Sequence, residues 1–129
     1  MRVGIGYDIH PLKKNEKLII GGIDIDHTLG LSGHSDADVL THALMDAILG
    51  AMGEGDIGRH FPDDDDQYLG ICSLELLKKV YNIMKENQFK LNNADLVLIA
   101  EKPKISPYAE DIVSNLSNKL KVDKDQINF

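Results

Sequence analysis

The unbroken apolar run Leu96-Val97-Leu98-Ile99-Ala100 limits the possible fold more than any other feature of the chain. A short run of this kind, without alternating polar residues, is typical of a strand at the centre of a sheet. Apolar residues at helical spacing precede it, at about residues 36–52 and from Ser73, and follow it at about residues 108–120. Shorter strands are predicted at residues 1–10, 18–20, 23–25 and 126–129.

The order of these elements indicates the fold class. Strands come first, two helices follow, and the chain then runs through a strand, a helix and a last strand. We therefore expect one α+β domain over residues 1–129, with the helices on one face of a mixed β-sheet in a ferredoxin-like α/β sandwich. Its core must be aliphatic, because hydrophobic residues make up 43% of the chain but aromatic residues only 5%, and Trp is absent.

The charge and the cysteine count exclude several function classes. A formal net charge of -7 argues against a nucleic acid or an anionic membrane as partner, although a phosphorylated small molecule with metal ions remains compatible. A single cysteine, Cys72, excludes an intrachain disulfide and any multi-cysteine metal site. The sequence shows no apolar run near 18 residues and no targeting segment, so we expect a cytoplasmic protein.

Asp8 and His10 stand two positions apart in a stretch with strand character. Side chains at such spacing point to the same face of a strand, so a carboxylate and an imidazole would converge. One more imidazole would complete a three-ligand zinc site with an open fourth position. Taken alone, such a pair at a strand end is more often a hydrogen-bonded structural feature.

The helix predicted at residues 36–52 carries the second polar group of interest. Ser35 and Asp38 match a capping box, and His42 follows at spacings that place all three on one side of the helix. A helix N-terminus is receptive to phosphate, which makes His34 and Ser35 candidate phosphate contacts. The plain alternatives are that Ser35 only caps the helix, that His34 is merely exposed, and that His42 is an ordinary core or surface histidine.

Several sequence blocks become more specific when taken together. They are Gly4-Ile5-Gly6-Tyr7-Asp8-Ile9-His10, Ile20-Gly21-Gly22, His34-Ser35-Asp36-Ala37-Asp38-Val39, His42-Ala43, Gly55-Asp56-Ile57-Gly58 and Phe61-Pro62-Asp63. In this order and spacing they resemble the 2-C-methyl-D-erythritol 2,4-cyclodiphosphate synthases, the cyclising enzymes of the non-mevalonate isoprenoid pathway. The resemblance runs over the whole of residues 1–129.

The resemblance implies roles for the residues near the first strand and helix. Asp8, His10 and His42 would bind one zinc ion and leave its fourth position to a phosphate oxygen of the substrate. Ile9, between the first two ligands, would also contact the substrate. His34 and Ser35 would contact phosphate groups, with His34 helping to stabilise the transition state.

The resemblance also implies two binding loops. The first would line the methylerythritol phosphate pocket with Asp56, Ile57, Gly58, Phe61, Pro62, Asp63, Asp64 and Asp65. The second would receive the cytosine ring, largely through backbone groups of Ala100, Glu101, Lys102, Pro103, Lys104, Ile105 and Ser106. The family forms homotrimers with active sites between subunits, so the second loop would serve a site whose zinc lies on another chain.

The implied reaction converts 4-diphosphocytidyl-2-C-methyl-D-erythritol 2-phosphate into 2-C-methyl-D-erythritol 2,4-cyclodiphosphate. The 2-phosphate attacks the β-phosphorus and CMP leaves, so the enzyme would be a phosphorus–oxygen lyase that needs no nucleophilic side chain. Such phosphoryl transfer depends on positioning and on charge neutralisation. Zinc would serve as Lewis acid, and a second cation, Mg²⁺ or Mn²⁺, would bind with the substrate diphosphate.

Relatives continue with a Thr-Thr-x-Glu block, a strand and a helix, and this block follows the position of Phe129. The block would hold a catalytic Thr and the second metal's Glu, so we expect residues 1–129 alone to be inactive or nearly so. Two other functions stay open beside the cyclase. One is a zinc-dependent phosphohydrolase that activates water, and the other is a non-catalytic metal-binding trimer.

Overall fold

The computed structural model describes all residues from Met1 to Phe129. The helices are α1 (Val39–Met52), α2 (Ile57–His60), α3 (Ser73–Glu86) and α4 (Ala109–Leu120). The strands are β1 (Leu12–Lys14), β2 (Leu18–Ile20), β3 (Ile23–Ile25), β4 (Leu29–Leu31), β5 (Ala94–Asp95) and β6 (Ile127–Asn128). This content confirms the α+β class. The longest helices have 14 residues, and none is both long and apolar enough to cross a membrane.

The three long helices pack into one layer around an aliphatic core. Helix α3 lies between α1 and α4 and contacts both. On α4, Ile112, Leu116 and Leu120 face this core and are fully buried. Helix α3 buries Leu76, whereas its Tyr81 side chain remains partly exposed.

Helix α1 begins later than expected because Asp38, not Ser35, is its N-cap. The Asp38 side chain accepts the backbone N–H of Thr41 at 3.1 Å, which satisfies one of the free amides at the helix start. Ala37 adopts a left-handed conformation, with φ of 56°, so the chain cannot be helical there. The predicted Ser35–Asp38 capping box is therefore wrong.

The Asp38 carboxylate also joins α1 to the β2–β3 hairpin. It accepts the backbone N–H groups of Gly21 at 3.0 Å and Gly22 at 2.8 Å, and the Thr41 hydroxyl at 2.8 Å. Both glycines have positive φ, which suits the two-residue turn between β2 and β3. Burial raises the pKa of Asp38, while these four donors act to lower it.

The predicted single mixed sheet is wrong for residues 1–129. The strands instead form three two-stranded ribbons, with β1–β4 and β2–β3 antiparallel and β5–β6 parallel. The runs predicted as strands at residues 1–10 and 96–100 have no strand assignment. In the second run only the Leu96 N–H donates a hydrogen bond to a neighbouring strand, to the Asn128 carbonyl of β6 at 2.8 Å. Neither run finds a full strand partner among the 129 residues, and a strand needs one.

The first segment keeps a period of two despite lacking strand partners. Val3, Ile5, Tyr7 and Ile9 are exposed, whereas Gly4 and Gly6 lie directly against α1. A Cβ added at Gly6 would overlap the Ala43 carbonyl, and one at Gly4 would overlap that of Ala47. Because even positions face α1, Asp8 and His10 are directed toward the helix that carries His42.

Candidate metal centre

Asp8, His10 and His42 converge, as the family resemblance implies. The Asp8 Oδ2 atom lies 2.9 Å from His10 Nε2 and 3.1 Å from His42 Nδ1. The two imidazole nitrogens are 3.3 Å apart, and the ligand atoms of the three residues all lie within 4.8 Å of one another. His10 and Asp8 are partly buried and His42 is buried. One carboxylate and two imidazoles therefore face a common point.

The outer nitrogen of each imidazole is held by a separate partner. His10 Nδ1 lies 3.1 Å from the Ser32 carbonyl, which can only accept, so Nδ1 carries the proton and Nε2 is left free. His42 Nε2 lies 3.0 Å from Ser35 Oγ and 2.9 Å from Ser73 Oγ. Metal-binding histidines in proteins are held through their second nitrogen in this way. The donor set fits a divalent metal ion, with room in the coordination sphere for a further ligand.

Asp8 is the electrostatic centre of the cluster. Burial alone would raise the pKa of its carboxyl group. Its contact with His42 and the proximity of His10 outweigh that effect and hold the pKa of Asp8 below its ordinary value. The carboxylate is thus kept in the ionised form that a metal ligand requires.

Ser35 lies beside the cluster, in the loop that leads into α1, and His34 precedes it in that loop. Ser35 Oγ accepts the backbone N–H of Ala37 at 3.3 Å and also contacts His42. The His34 carbonyl accepts the Gly70 N–H at 2.8 Å, which ties this loop to the segment after the aspartate run. The pKa of Asp65 is lowered by its hydrogen bonds with Gln67, and His34 adds an attractive charge. Ser35, one of the two predicted phosphate contacts, is therefore adjacent to the candidate ligand His42.

The loop at Asp56, Ile57 and Gly58 forms the start of the short helix α2. Asp56 caps it by accepting the Arg59 N–H at 2.9 Å. Asp46, one turn after His42 on α1, accepts the Ile57 N–H at 2.8 Å. Asp46 thus attaches the predicted methylerythritol phosphate loop to α1, the helix that carries the candidate ligand His42. Its i+4 spacing from His42 places both residues on one face of α1, which indicates in the sequence that Asp46 lies near His42.

The predicted Phe61–Asp65 loop divides between core and surface. Phe61 is buried and packs its ring at 5.4 Å from that of Tyr68, whereas Asp63 and Asp64 are exposed. Asp65 caps a 3₁₀ turn at Asp66–Tyr68 by accepting the Gln67 N–H at 3.1 Å. The side chain of Phe61 supports the loop from inside, so its predicted contact with a ligand would have to come through the backbone.

The predicted cytosine loop, Ala100 to Ser106, lies away from the cluster of Asp8, His10 and His42. The loop from Ala100 to Ser106 borders a cavity of about 940 Å³ that also includes Leu98, Asn128 and Phe129. None of the three metal-ligand candidates lines this cavity. Within one chain, the structure does not bring the predicted cytosine loop to the metal cluster.

The sequence signature of the YgbB family matches residues 1–129 in full. The chain belongs to the YgbB family. It is 62% identical to a 2-C-methyl-D-erythritol 2,4-cyclodiphosphate synthase of Halothermothrix orenii, over 100% of this chain and 78% of that protein.

Solved structures related to this YgbB-family chain show the same fold. The bifunctional IspDF of Campylobacter jejuni is 42% identical with a TM-score of 0.93, over 98% of this chain and 34% of that one. A 2C-methyl-D-erythritol-2,4-cyclodiphosphate synthase in its CDP-bound form is 37% identical with a TM-score of 0.92, over 98% and 85% of the two chains. The family resemblance read from the sequence blocks is thereby confirmed.

Proposed function

We propose that this protein is an enzyme that converts 4-diphosphocytidyl-2-C-methyl-D-erythritol 2-phosphate into 2-C-methyl-D-erythritol 2,4-cyclodiphosphate and CMP. The proposal rests on the convergence of Asp8, His10 and His42 in a YgbB-family chain. The chain is also 62% identical to a 2-C-methyl-D-erythritol 2,4-cyclodiphosphate synthase. The reaction is intramolecular: a 2-phosphate oxygen bonds to the β-phosphorus as the bond from that phosphorus to the CMP oxygen breaks. A cytoplasmic location stays a prediction from the sequence.

The proposed resident metal is one zinc ion per chain, held by Asp8, His10 and His42. Two imidazoles and one carboxylate are a donor set typical of zinc with an open position. Bound there, zinc would supply Lewis-acid polarisation of a phosphoryl oxygen. We further propose a second divalent cation, Mg²⁺ or Mn²⁺, bound with the substrate diphosphate, because a chain of net charge -7 binds a polyanion poorly without one.

His34 and Ser35 are the proposed phosphate contacts. Ser35 lies within 3.0 Å of the His42 ring, so a phosphate group bound at the metal ligands would be within reach of its hydroxyl. His34 is partly exposed beside it and provides the proposed stabilising charge or hydrogen bond for the transition state. Their task is to orient the attacking phosphate and to neutralise its oxygens.

The remaining predicted residues form the proposed substrate pockets. Asp56–Gly58 and the Phe61–Asp65 loop would hold the methylerythritol phosphate, next to the helix of His42. The Ala100–Ser106 loop would hold the cytidine, and a CDP-bound synthase with 37% identity supports a cytidine diphosphate ligand. Since this loop is not at the metal cluster of its own chain, we propose a homotrimer in which each active site combines two subunits.

The test is incubation of the full-length protein with the cytidyl substrate and divalent metal in ¹⁸O-enriched water. The cyclase releases CMP and a cyclic diphosphate that carries no solvent oxygen. A metal-dependent phosphohydrolase would instead give an open product containing ¹⁸O. Retained metal and CDP binding without any turnover would indicate a non-catalytic binding protein and would refute the proposal.

A further inference from the structure

We propose that Asp36 and Ser73 act as positioning residues that fix the tautomer of His42, so that its unprotonated Nδ1 faces the metal. The inference rests on the proposed metal site but does not depend on the identity of the substrate. Neither residue belongs to the predicted set of ligands or substrate contacts. Ser73 contacts Nε2 of His42, whereas Asp8 faces Nδ1, and Asp36 in turn contacts Ser73.

Asp36 holds the first residue of helix α3 through two hydrogen bonds. Its Oδ2 accepts the Ser73 backbone N–H at 2.8 Å, and its Oδ1 accepts the Ser73 hydroxyl. The same Oδ1 accepts the Asp38 N–H at 3.2 Å. A carboxylate offers only acceptors, so all three partners donate to it. The Asp36 N–H is itself bonded to the Ile71 carbonyl at 3.1 Å, which fixes the loop in place.

The direction of the Ser73 hydroxyl then determines the protonation of His42. Ser73 is fully buried and has one hydroxyl proton, which is donated to Asp36. Its Oγ lies 2.9 Å from His42 Nε2 and can therefore only accept there. Nε2 must carry the ring proton, and in a neutral imidazole Nδ1 is then the free nitrogen. Nδ1 is the atom that faces Asp8 and His10.

Without this arrangement Ser35 would permit the wrong tautomer. Its Oγ lies 3.0 Å from the same His42 Nε2, and its hydroxyl could donate to an unprotonated Nε2. That arrangement would place the ring proton on Nδ1, where it blocks metal coordination. With Nε2 acting as donor, the Ser35 hydroxyl proton stays available for another acceptor such as a phosphate oxygen.

The variant Asp36→Asn tests whether Asp36 fixes the His42 tautomer or only holds Ser73 in place. The oxygen of the introduced side-chain amide can still accept the Ser73 N–H, but the NH₂ group of that amide would then donate to Ser73 Oγ. The Ser73 hydroxyl would be free to donate to His42 Nε2, which favours the wrong tautomer. The variant Ser73→Ala removes the hydroxyl that accepts from His42 Nε2. A matched control is Ser117→Ala, because Ser117 is equally buried but bonds only to the Val113 and Ser114 carbonyls of α4.

The experiment measures zinc affinity by chelator competition and the His42 tautomer by long-range ¹H–¹⁵N correlation in the metal-free, full-length protein. We expect an Nε2–H pattern in the wild type and in Ser117→Ala. We expect a shift toward Nδ1–H in Asp36→Asn and a loss of zinc affinity of about 10- to 100-fold in both site variants. Thermal unfolding confirms that each variant is folded.

Two results would overturn the inference. One is an unprotonated Nε2 on His42 in the metal-free wild type, a measurement that requires no variant to fold. The other is folded Asp36→Asn with an Nε2–H pattern and wild-type zinc affinity. Failure of the proposed function looks different, because the wild type would then keep the Nε2–H pattern and bind zinc without forming a cyclic diphosphate.

Discussion

His10 Nε2 lies 3.3 Å from His42 Nδ1, although 32 positions separate the two histidines in the chain. The Ser32 carbonyl fixes the proton of His10 on the far side of its ring, and Ser73 does the same for His42. Two free lone pairs and the Asp8 carboxylate therefore face one another. Such a group of acceptors is unfavourable unless a cation lies between them, and this need is the physical reason to expect metal binding.

Replacing His42 with Ala should abolish stoichiometric zinc binding, because only two of the three ligands then remain. Elemental analysis of the purified protein measures this directly. Asp46→Asn is the matched control, since Asp46 lies one turn further along α1 and should leave zinc content unchanged. About one zinc per chain in the His42 variant would show that the ligand set is misassigned.

Gly6→Ala should displace the first segment from α1, because a Cβ at this position would overlap the Ala43 carbonyl. We expect weaker zinc binding, since Asp8 and His10 would move away from His42, and a loss of about 1–3 kcal/mol in the free energy of unfolding. Urea unfolding and chelator competition measure the two effects.

The control is Gly50→Ala, within α1 at an exposed position where an added Cβ meets no atom within 4 Å. Removing a glycine from a helix interior should stabilise the protein by about 0.5–1 kcal/mol without changing zinc affinity. Equal zinc affinity in Gly6→Ala and the wild type would contradict the close-approach explanation.

The pairing of Asp8 with His10 was predictable from local geometry, whereas His42 was assigned as the third candidate ligand only through the family resemblance. Asp8 and His10 share a face at a spacing of two residues, and His42 lies on a clearly periodic helix. The sheet was not predictable in the same way. Leu96–Ala100 has the composition of a central strand, but a strand also requires a partner, and Ile99 is 92% exposed here.

The Asp36–Ser73–His42 contacts were beyond reach of the sequence for a related reason. Ser73 has the appearance of a helix cap, and only the packing of α3 against α1 brings its hydroxyl to His42. The two residues are 31 positions apart, so no helical or strand period relates them. Interactions that arise from tertiary packing leave no local pattern.

Asp38→Ala should be among the most destabilising single changes. It leaves the N–H groups of Gly21 and Gly22 and the buried Thr41 hydroxyl without their acceptor. We expect a loss of about 3 kcal/mol or more in the free energy of unfolding, measured by urea titration. Asp24→Ala should cost less than about 1 kcal/mol, because its pair with Lys17 is exposed. Similar losses in both variants would contradict the assigned role of Asp38.

Asp46→Ala should raise KM without removing zinc. The change deletes the acceptor for the Ile57 N–H and so loosens the loop at Asp56–Gly58 from α1. We expect an increase in KM of about tenfold, which corresponds to one hydrogen bond to a charged group. Steady-state kinetics measures it, with exposed Asp66→Ala as control. An unchanged KM would show that the loop needs no anchor on α1.

Asp46→Asn should alter how stability depends on pH. Burial, together with the negative charges of Asp56 and Asp8, raises the pKa of Asp46 above its ordinary value of 3.8. The folded state therefore favours the protonated carboxyl, and the wild type loses stability as the pH rises from 3.8 through that raised pKa. Asparagine cannot ionise, and its Oδ1 can still accept the Ile57 N–H.

The free energy of unfolding of metal-free Asp46→Asn, relative to the wild type, should therefore increase between about pH 3.5 and pH 7. Urea titrations of both proteins across this range measure the difference. Asp66→Asn is the control, because Asp66 is exposed and the difference from wild type should not follow the same trend. A difference that stays constant, or that shrinks as the pH rises, would mean that the Asp46 carboxylate is not disfavoured by its burial between the metal ligands and the loop.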